Sequence, residues 1–494
     1  MDRPLMGRDP HSLGRDDSWE GVRAVVAGMG VSGFAAADNL THLGAHVIAL
    51  DESDADPRPD QATLLGILGA DVRLGAGSTA VLPDDVDVVV TSPGWRPDAA
   101  LLQQATARGV PIWGEVELAW RLRDPARPAP WLAITGTNGK TTTVRMLAAM
   151  LGAAGLHTVA AGNVGLPLVE AVMADHGGGV APYDVLAVEL SSFQLHWATS
   201  VRAESAAVLN VAEDHLDWYP DMAAYAADKG RIYNGVERAC VYNLADPVTE
   251  QLVREAEVVD GARAIGFTLG TPGVGMLGVV DDVLCDRAFV EDRQTSAAEL
   301  CTLADLASPA PHFVADALAA AALARAHGVP PAAIRQALIG FRPDGHRIAV
   351  VPSNDGFTWV DDSKATNPHA ALASLQAYDD VVWIAGGLAK GARFDDLVGR
   401  VRDRLRGVVL IGQDAGVIAD ALARHAPDVP VIRVGVGETS GVAATVMDRV
   451  AAEAVRLARP GDAILLAPGC ASMDMFTDYG ARGDAFAEAV RRRQ

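Results

Sequence analysis

Residues Ala133 to Thr143 read AITGTNGKTTT, directly after the apolar start of a strand that runs Trp131–Thr135 and directly before a helix-favouring stretch. Backbone N–H groups and the dipole at a helix N-terminus attract phosphate, and glycines let the chain come close to it. Gly136 and Gly139 supply that access. The Lys140 ammonium can reach β- and γ-phosphates, and the Thr141 hydroxyl can ligate Mg²⁺. This is the chemistry of a nucleoside triphosphate cradle. The strict pattern G-x-x-x-x-G-K-[ST] is not met, because Ile134 stands where its first glycine would be. A glycine-rich turn carrying a surface lysine is the plainer alternative, but strand, loop, lysine, threonine and helix coincide here.

Two acidic segments follow. VELSSFQL (Val188–Leu195) ends a strand that starts at Asp184, and NVAEDHLDWYP (Asn210–Pro220) ends the strand Ala206–Asn210. Catalytic groups of parallel sheets gather at the carboxyl ends of strands. Glu189 offers the oxygen donor that Mg²⁺ prefers, and Asp214, His215 and Asp217 offer further candidates. Taken singly, each is as well read as a loop or capping residue. Lys229, in DMAAYAADKGRIYN, reads on its own as a solvated helix lysine.

A second phosphate motif opens the chain. GMGVSG (Gly28–Gly33) follows a strand and starts a helix, and Asp51 lies about twenty residues on, which fits the dinucleotide fingerprint G-x-G-x-x-G. The same physics would hold the diphosphate of a UDP-sugar at a helix N-terminus. Near the far end, WVDDSKATNPHA (Trp359–Ala370) carries Asp362, Ser363, Lys364 and Thr366 where a strand passes into a helix. Those side chains can bind an anion or simply cap the helix. Lys390 in GGLAKGARFDDL adds a second lysine, and two lysines suit a dicarboxylate.

The strings TGTNGKT, GNVGLPL, VELSSFQL, DHLD and DSKATN together resemble the Mur ligase and folylpolyglutamate synthetase superfamily, over almost the whole chain after Ser18. The resemblance implies an ATP-dependent amide ligase, with ATP and two Mg²⁺ as its cofactors. Its ATP loop is Gly136, Thr137, Asn138, Gly139, Lys140, Thr141 and Thr142, with Arg347 in GHR touching a phosphate. It implies Lys140, Glu189, His215 and Lys229 as catalytic, with Thr141, Glu189 and His215 approaching the metals and Lys229 carrying a carbamate made from CO₂. Asn163 stands near the muramoyl substrate and the γ-phosphate. The first block then binds the UDP part of the substrate, with Gly30, Val31, Ser32 and Gly33 at the diphosphate and Asp51 and Glu52 at the uridine end. DSKATN marks the D-glutamate-adding branch, which accepts UDP-N-acetylmuramoyl-L-alanine; Lys364, Thr366, Lys390, Ser472 and Tyr479 would form the D-glutamate pocket. Two positions depart from the pattern. Asp316 stands for the asparagine near adenine, and an ionised acid accepts but does not donate. Tyr479 stands for a phenylalanine and adds a hydroxyl to its stacking face.

The elements needed to position these groups are legible as three α/β blocks. Strands alternating with helices imply parallel sheets. A flexible extension is expected over 1–18, a Rossmann-like UDP-substrate domain over 19–124, a central P-loop ATPase-type α/β domain over 125–343, and a Rossmann-like D-glutamate domain over 344–494. The proline-rich stretch Arg121–Pro130 reads as a linker. Residues 261–300 read as short strands, and His312–His327 as an alanine-rich helix stopped by Gly328 and two prolines.

Composition narrows the class. The 494 residues carry 41 Lys plus Arg against 63 Asp plus Glu, a formal net charge of −22. An acidic surface repels nucleic acid and anionic lipid, so small-molecule partners are expected and nucleic acid is not. Four scattered cysteines form neither a C-x-x-C pair nor a disulfide framework, which suits a reducing compartment. No leader-like apolar stretch and no span-length apolar run is present, so a cytoplasmic monomer without membrane insertion is expected. Open alternatives are the same superfamily with another acceptor, a P-loop switch or motor, and an NAD-dependent oxidoreductase built on GMGVSG.

Overall fold

The computed structural model describes residues 9–55, 57–176, 179–343, 345–435 and 443–493. Three sheets organise the chain. The first consists of β1 (Arg23–Ala27), β2 (His46–Asp51), β3 (Asp71–Leu74), β4 (Val88–Thr91) and β5 (Ile112–Gly114), all parallel, in the order β3-β2-β1-β4-β5. The second consists of β6 (Trp131–Thr135), β7 (Thr158–Gly162), β8 (Val185–Glu189), β9 (Ser205–Val208), β10 (Ala239–Asn243), β11 (Arg263–Phe267), β12 (Met276–Val280), β13 (Val283–Asp286) and β14 (Ala298–Thr302). Its order is β14-β13-β12-β11-β10-β9-β6-β8-β7, parallel except at the β12–β13–β14 end. The third comprises β15 (Ala349–Val351), β16 (Thr358–Asp361), β17 (Val381–Gly386), β18 (Leu405–Ile411), β19 (Val431–Arg433) and β20 (Ala463–Leu466), ordered β15-β16-β20-β17-β18-β19, with only the β15 pairing antiparallel.

Strands buried on both faces explain the sequence pattern. β6 and β8 are buried at every position, which is why they read as unbroken apolar runs rather than alternating ones. The expected short strands between 261 and 300 are β11 to β14. The helix Pro311–His327 is almost wholly apolar and packs into the core beneath β9 to β11. Among the described residues no helix is long and apolar enough to cross a membrane, and the four cysteines are free thiols.

Two compact units emerge. One holds residues as far as Val211 together with Ala223–Phe341, and with them the first two sheets; the other holds Ala212–Met222 and Arg342–Gln494. The segment carrying DHLD was expected in the central block and instead groups with the last one, because it packs on loops of the third sheet. The flexible extension also needs correction. Residues 1–8 lie outside the described residues, but Arg15 is buried, 2.7 Å from Asp175 and 3.0 Å from Asp124. Trp19 is buried outright. The largely buried ion pair with Asp175 holds this stretch to the second block.

The two blocks of the first unit are joined through a seven-residue helix, Glu115–Arg121, too short to show a periodic signal. Glu117 is buried and accepts the N–H groups of Thr199 and Ser200, both at 2.8 Å, with Arg121 2.7 Å away. Burial pushes its pKa up, but the Ser200 hydroxyl, those N–H groups and Arg121 bring it below the usual carboxylate value. Glu115 differs. It is 1% exposed, accepts the Val169 N–H at 2.7 Å, and has no cation beside it. Burial, reinforced by Glu170, pushes its pKa up to about 7 against the backbone N–H groups of Val169 and Leu168.

The folded protein therefore retains a proton on Glu115 that the unfolded chain releases at lower pH. Its contribution is fully present below about pH 4.5 and is lost as pH rises towards about 7, where ionised Glu115 opposes folding by about 3 kcal/mol. Glu115→Gln removes this ionisation. The thermal midpoint of the parent is expected to fall relative to that of Glu115→Gln between pH 5 and pH 8, measured by calorimetry at matched ionic strength; parallel curves would refute the assignment.

Candidate active site

The phosphate loop forms as its residue types require. Gly139 is the N-cap of the helix Lys140–Ala153 and has φ +84°, in the left-handed region where an L side chain is strained. A Cβ there would stand 2.3 Å from Asp316 Oδ1. Asp316 is thus packed against the loop backbone, on the buried helix Pro311–His327. Thr143 donates its hydroxyl to Gly139 O at 3.0 Å.

The loop is held from outside by Asn210, at the carboxyl end of β9. Asn210 O accepts the Thr137 N–H (3.0 Å), its Oδ1 accepts the Asn138 N–H (2.8 Å), and its Nδ2 donates to Asn138 O (3.1 Å). The Thr137 hydroxyl is 3.1 Å from the Tyr225 hydroxyl. Lys140 Nζ donates to Gly136 O (2.8 Å) and Thr137 O (3.0 Å). Lys229 Nζ donates to the same Gly136 O at 2.9 Å, and the side chain is buried over the Tyr225 ring. The lysine that read as solvated is therefore internal, and two ammonium groups converge on one carbonyl. Thr141 is half-buried on the first turn, and Thr142 is buried beside it.

β6, β8 and β9 are neighbours, so the loop after β6 and Glu189 at the end of β8 come to one edge. Glu189 is 1% exposed. Its Oε1 accepts from Asn163 Nδ2 at 2.8 Å, and its Oε2 is buried without a hydrogen-bond partner. A carboxylate oxygen left orphaned in this way is costly unless a cation completes it, and a hard oxygen donor is what Mg²⁺ takes. The residues fit a divalent ion held by Glu189, the Thr141 hydroxyl and nucleotide phosphates. Among the described residues no group of three or more His, Cys, Asp or Glu gathers as a self-contained metal cage. The helix bearing Lys229 is anchored through Asp228, which is 2.7 Å from His196 Nδ1 and 3.0 Å from Arg231 Nε.

In the first sheet, Gly28 has φ +92° and packs on Ser92 and Trp95, while a Cβ on Gly33 would lie 1.8 Å from Gly28 O. Gly28 and Gly33 thus serve close packing at the strand end and helix start, while a Cβ on Gly30 would meet nothing. Gly30 caps the helix Val31–His42 with no side-chain bond, Val31 is well exposed and Ser32 half-exposed, so the first-turn N–H groups face outward. Asp51 accepts from Met29 N (2.6 Å) and Ser53 N (2.8 Å). Glu52 accepts from Gly77 N, Thr79 N and the Thr79 hydroxyl, which hold its pKa down. Both acids brace loops, and contact with a uridine would have to replace such bonds.

The second unit gathers the remaining candidates on three loops at the carboxyl ends of β16, β17 and β20. Gly469 N donates to Ala365 O (2.8 Å), Gly386 N to Pro468 O (2.9 Å), and Leu388 and Ala471 exchange two bonds of 2.9 Å. Lys364, Thr366, Lys390 and Ser472 ride on these loops. Lys364 Nζ lies 3.7 Å from the Tyr479 ring centroid. Lys390 is held at φ +50°, unusual for a residue with a side chain. Thr366 and Lys390 share a recess with Glu213, Asp214 and Leu216. His215 sits on that segment at φ +56°, its Nε2 3.7 Å from Asp214. Arg347 lies close to Asp362, whose pKa burial pushes up to about 6 against the Ser374 hydroxyl, the Ile348 N–H and Arg347.

Several residues that shape these sites gave no signal in sequence. Asn210 was read only as the end of a strand. Arg482, 1% exposed, donates to Ser363 Oγ (2.9 Å), Ser363 O (2.8 Å) and Cys470 O (3.1 Å), tying the DSKATN loop to the loop after β20. A buried arginine on a helix cannot be told from a surface one without its partners.

Comparisons with known proteins give the family. The profile of the MurD-like Mur ligase N-terminal domain matches residues 22–114, that of the Mur ligase middle domain 134–324, and that of the Mur ligase glutamate ligase domain 346–470. The UDP-N-acetylmuramoylalanine–D-glutamate ligase of Streptomyces avermitilis is 60% identical over 474 residues, 96% of this chain and 99% of that one. The ligase of the same name from Thermobifida fusca is 53% identical, over 95% of this chain and 98% of its own. Among solved structures, UDP-N-acetylmuramate–alanine ligase MurC from Thermotoga maritima superposes with a TM-score of 0.55 at 18% identity, covering 96% of this chain and 100% of that one, a likeness of fold. With three domain profiles in order along the chain and full-length relatives above half identity, the chain belongs to the Mur ligase family.

Proposed function

We propose that the chain is an ATP-dependent ligase that joins D-glutamate to UDP-N-acetylmuramoyl-L-alanine, in cytoplasmic synthesis of the peptidoglycan precursor. The observation that carries the reading is the edge where the Asn210-braced loop, half-buried Lys140, buried Lys229 and the open oxygen of Glu189 meet. The names of the full-length relatives supply the acceptor.

The reaction runs in two steps. An oxygen of the L-alanine carboxylate attacks the γ-phosphorus, its bond to ADP breaks, and an acyl phosphate forms. The D-glutamate amine then attacks the acyl carbon, the amide forms, phosphate leaves with the former carboxylate oxygen, and the amine releases a proton. Lys140 turns from the loop carbonyls to the β- and γ-phosphates, and the N–H groups of Gly139 to Thr142 hold them. Glu189, Thr141 and His215 would hold Mg²⁺, which would supply positive charge against that of the transferring group. Asn163 keeps Glu189 oriented. Gly30 to Gly33 receive the diphosphate of the UDP-sugar, with Asp51 and Glu52 framing the uridine end. Arg347 meets a phosphate of ATP, and Asp316 borders the adenine side of the loop. Lys364, Thr366, Lys390, Ser472 and Tyr479 hold D-glutamate by its carboxylates and leave the amine free.

Lys229 carries a carbamate in this reading. Only a neutral amine attacks CO₂, so carbamate formation requires Lys229 to lose its proton first. The resulting anion would help to hold Mg²⁺.

ADP release with UDP-N-acetylmuramoyl-L-alanine is expected to require D-glutamate and to gain little from L-alanine or a diamino acid; stimulation by another acceptor and none by D-glutamate would defeat the assignment. Lys229→Ala is expected to lose about 100-fold or more in kcat and to recover part of it with added short-chain carboxylic acids. Full activity without rescue, or crystal density for an unmodified lysine in an ordered ATP complex, would count against the carbamate.

A further inference from the structure

The helix Glu115–Arg121 and its N-cap meet the second block through several hydrogen bonds. Gly114 N donates to Trp197 O at 3.1 Å, Glu117 takes the N–H groups of Thr199 and Ser200, and Glu115 takes that of Val169. Only the last reaches the helix that follows the turn carrying Asn163. Val169 lies in the first turn of the helix Leu168–Met173, whose N-cap is Pro167, without a side-chain bond of its own. First-turn N–H groups need an outside acceptor, and here a carboxyl from the first block provides it.

Immediately before that helix the chain reverses. Gly162 and Gly165 have φ of +109° and +72°, and a Cβ on them would lie 2.3 Å from Glu189 O and 2.5 Å from Ala160 O. Gly162 N donates to Leu166 O at 2.9 Å, closing the turn. The reversal carries Asn163, bound to Glu189 twice: N–H to main-chain O and carboxamide to Oε1, both at 2.8 Å. A reversal this tight has little freedom between its ends, so its position follows the helix it feeds.

We infer that Glu115 is a positioning residue for the Asn163–Glu189 pair: by tethering the start of helix Leu168–Met173 to the UDP-substrate block, it sets how Asn163 presents the Glu189 carboxylate to its cation. This rests on Glu189 being an Mg²⁺ ligand, as proposed above. Glu117 and the Gly114 contact keep the Glu115 helix in place when Glu115 is changed, so the loss passes to the Asn163 turn.

The test is ADP release as a function of Mg²⁺ at saturating ATP, D-glutamate and UDP-substrate, with folding checked by circular dichroism. Glu115→Ala is expected to raise half-saturating Mg²⁺ about tenfold, as loss of an orienting contact does, with the KM for D-glutamate unchanged. Glu115→Gln, which keeps a carbonyl acceptor, restores most of it. Glu115→Asp, which keeps a carboxyl group but shortens the reach, gives an intermediate shift and serves if the alanine variant does not fold. Asn163→Ala shifts Mg²⁺ dependence by itself, and the double variant is no worse than Asn163→Ala. A normal Mg²⁺ dependence in the alanine and aspartate variants, or effects that multiply with Asn163→Ala, overturns the inference while leaving the Glu189 reading intact. If Asn163→Ala and Glu189→Gln both leave Mg²⁺ dependence unchanged, the reading of Glu189 falls and the inference with it.

Discussion

A polyphosphate can be gripped by backbone only where several N–H groups point the same way with nothing between them and the ligand. That constraint organises the first unit. Gly139 must lack a side chain because Asp316 fills the space behind it, and it must adopt φ +84° to turn the strand into the helix. The loop does not brace itself, and its N–H groups from Gly139 onward are left to the ligand. Asn210, two strands' ends away in sequence but next to it in the sheet, supplies three hydrogen bonds instead. The parallel order β9-β6-β8 then brings Glu189 to the other side of the same loop.

Charge follows from this arrangement. A protein with a net charge of −22 has to hold anionic ligands through local features. Lysines are buried or half-buried where phosphate is handled, and Lys229 is stabilised without ligand by a carbonyl and an aromatic face. In the second unit the lysines stand on loops stitched to one another, with Arg482 buried beneath them. Buried carboxyls do the opposite work, holding backbone N–H groups at the join between the first two sheets.

What the sequence made legible was local. The AITGTNGKTTT, GMGVSG and DSKATN strings combine turn, strand end and helix start within a few residues, and each stands in the structure where that combination requires. β6, β8 and the Pro311–His327 helix were readable because unbroken apolar runs of those lengths have few alternatives. What was not legible depends on partners far along the chain. Asn210 looks like any strand-end asparagine until Thr137 and Asn138 are beside it. Glu115 and Glu117 lie on a helix of two turns. Residues 212–222 were assigned by their place in sequence, and Arg15 by its polar neighbours, yet both follow long-range packing. Asp51 and Glu52 were chosen for the fingerprint, and the structure uses their oxygens to hold loops.

The central claim is that the cradle around Gly139 and Lys140 moves the γ-phosphoryl group onto a substrate carboxylate. It is tested most directly with UDP-N-acetylmuramoyl-L-alanine carrying ¹⁸O in both carboxylate oxygens, turned over with ATP and D-glutamate, and mass analysis of the phosphate released. The account predicts one ¹⁸O in each inorganic phosphate, because the oxygen that attacked phosphorus leaves with it. Phosphate free of ¹⁸O, with the label retained in the product or found in AMP, would contradict it.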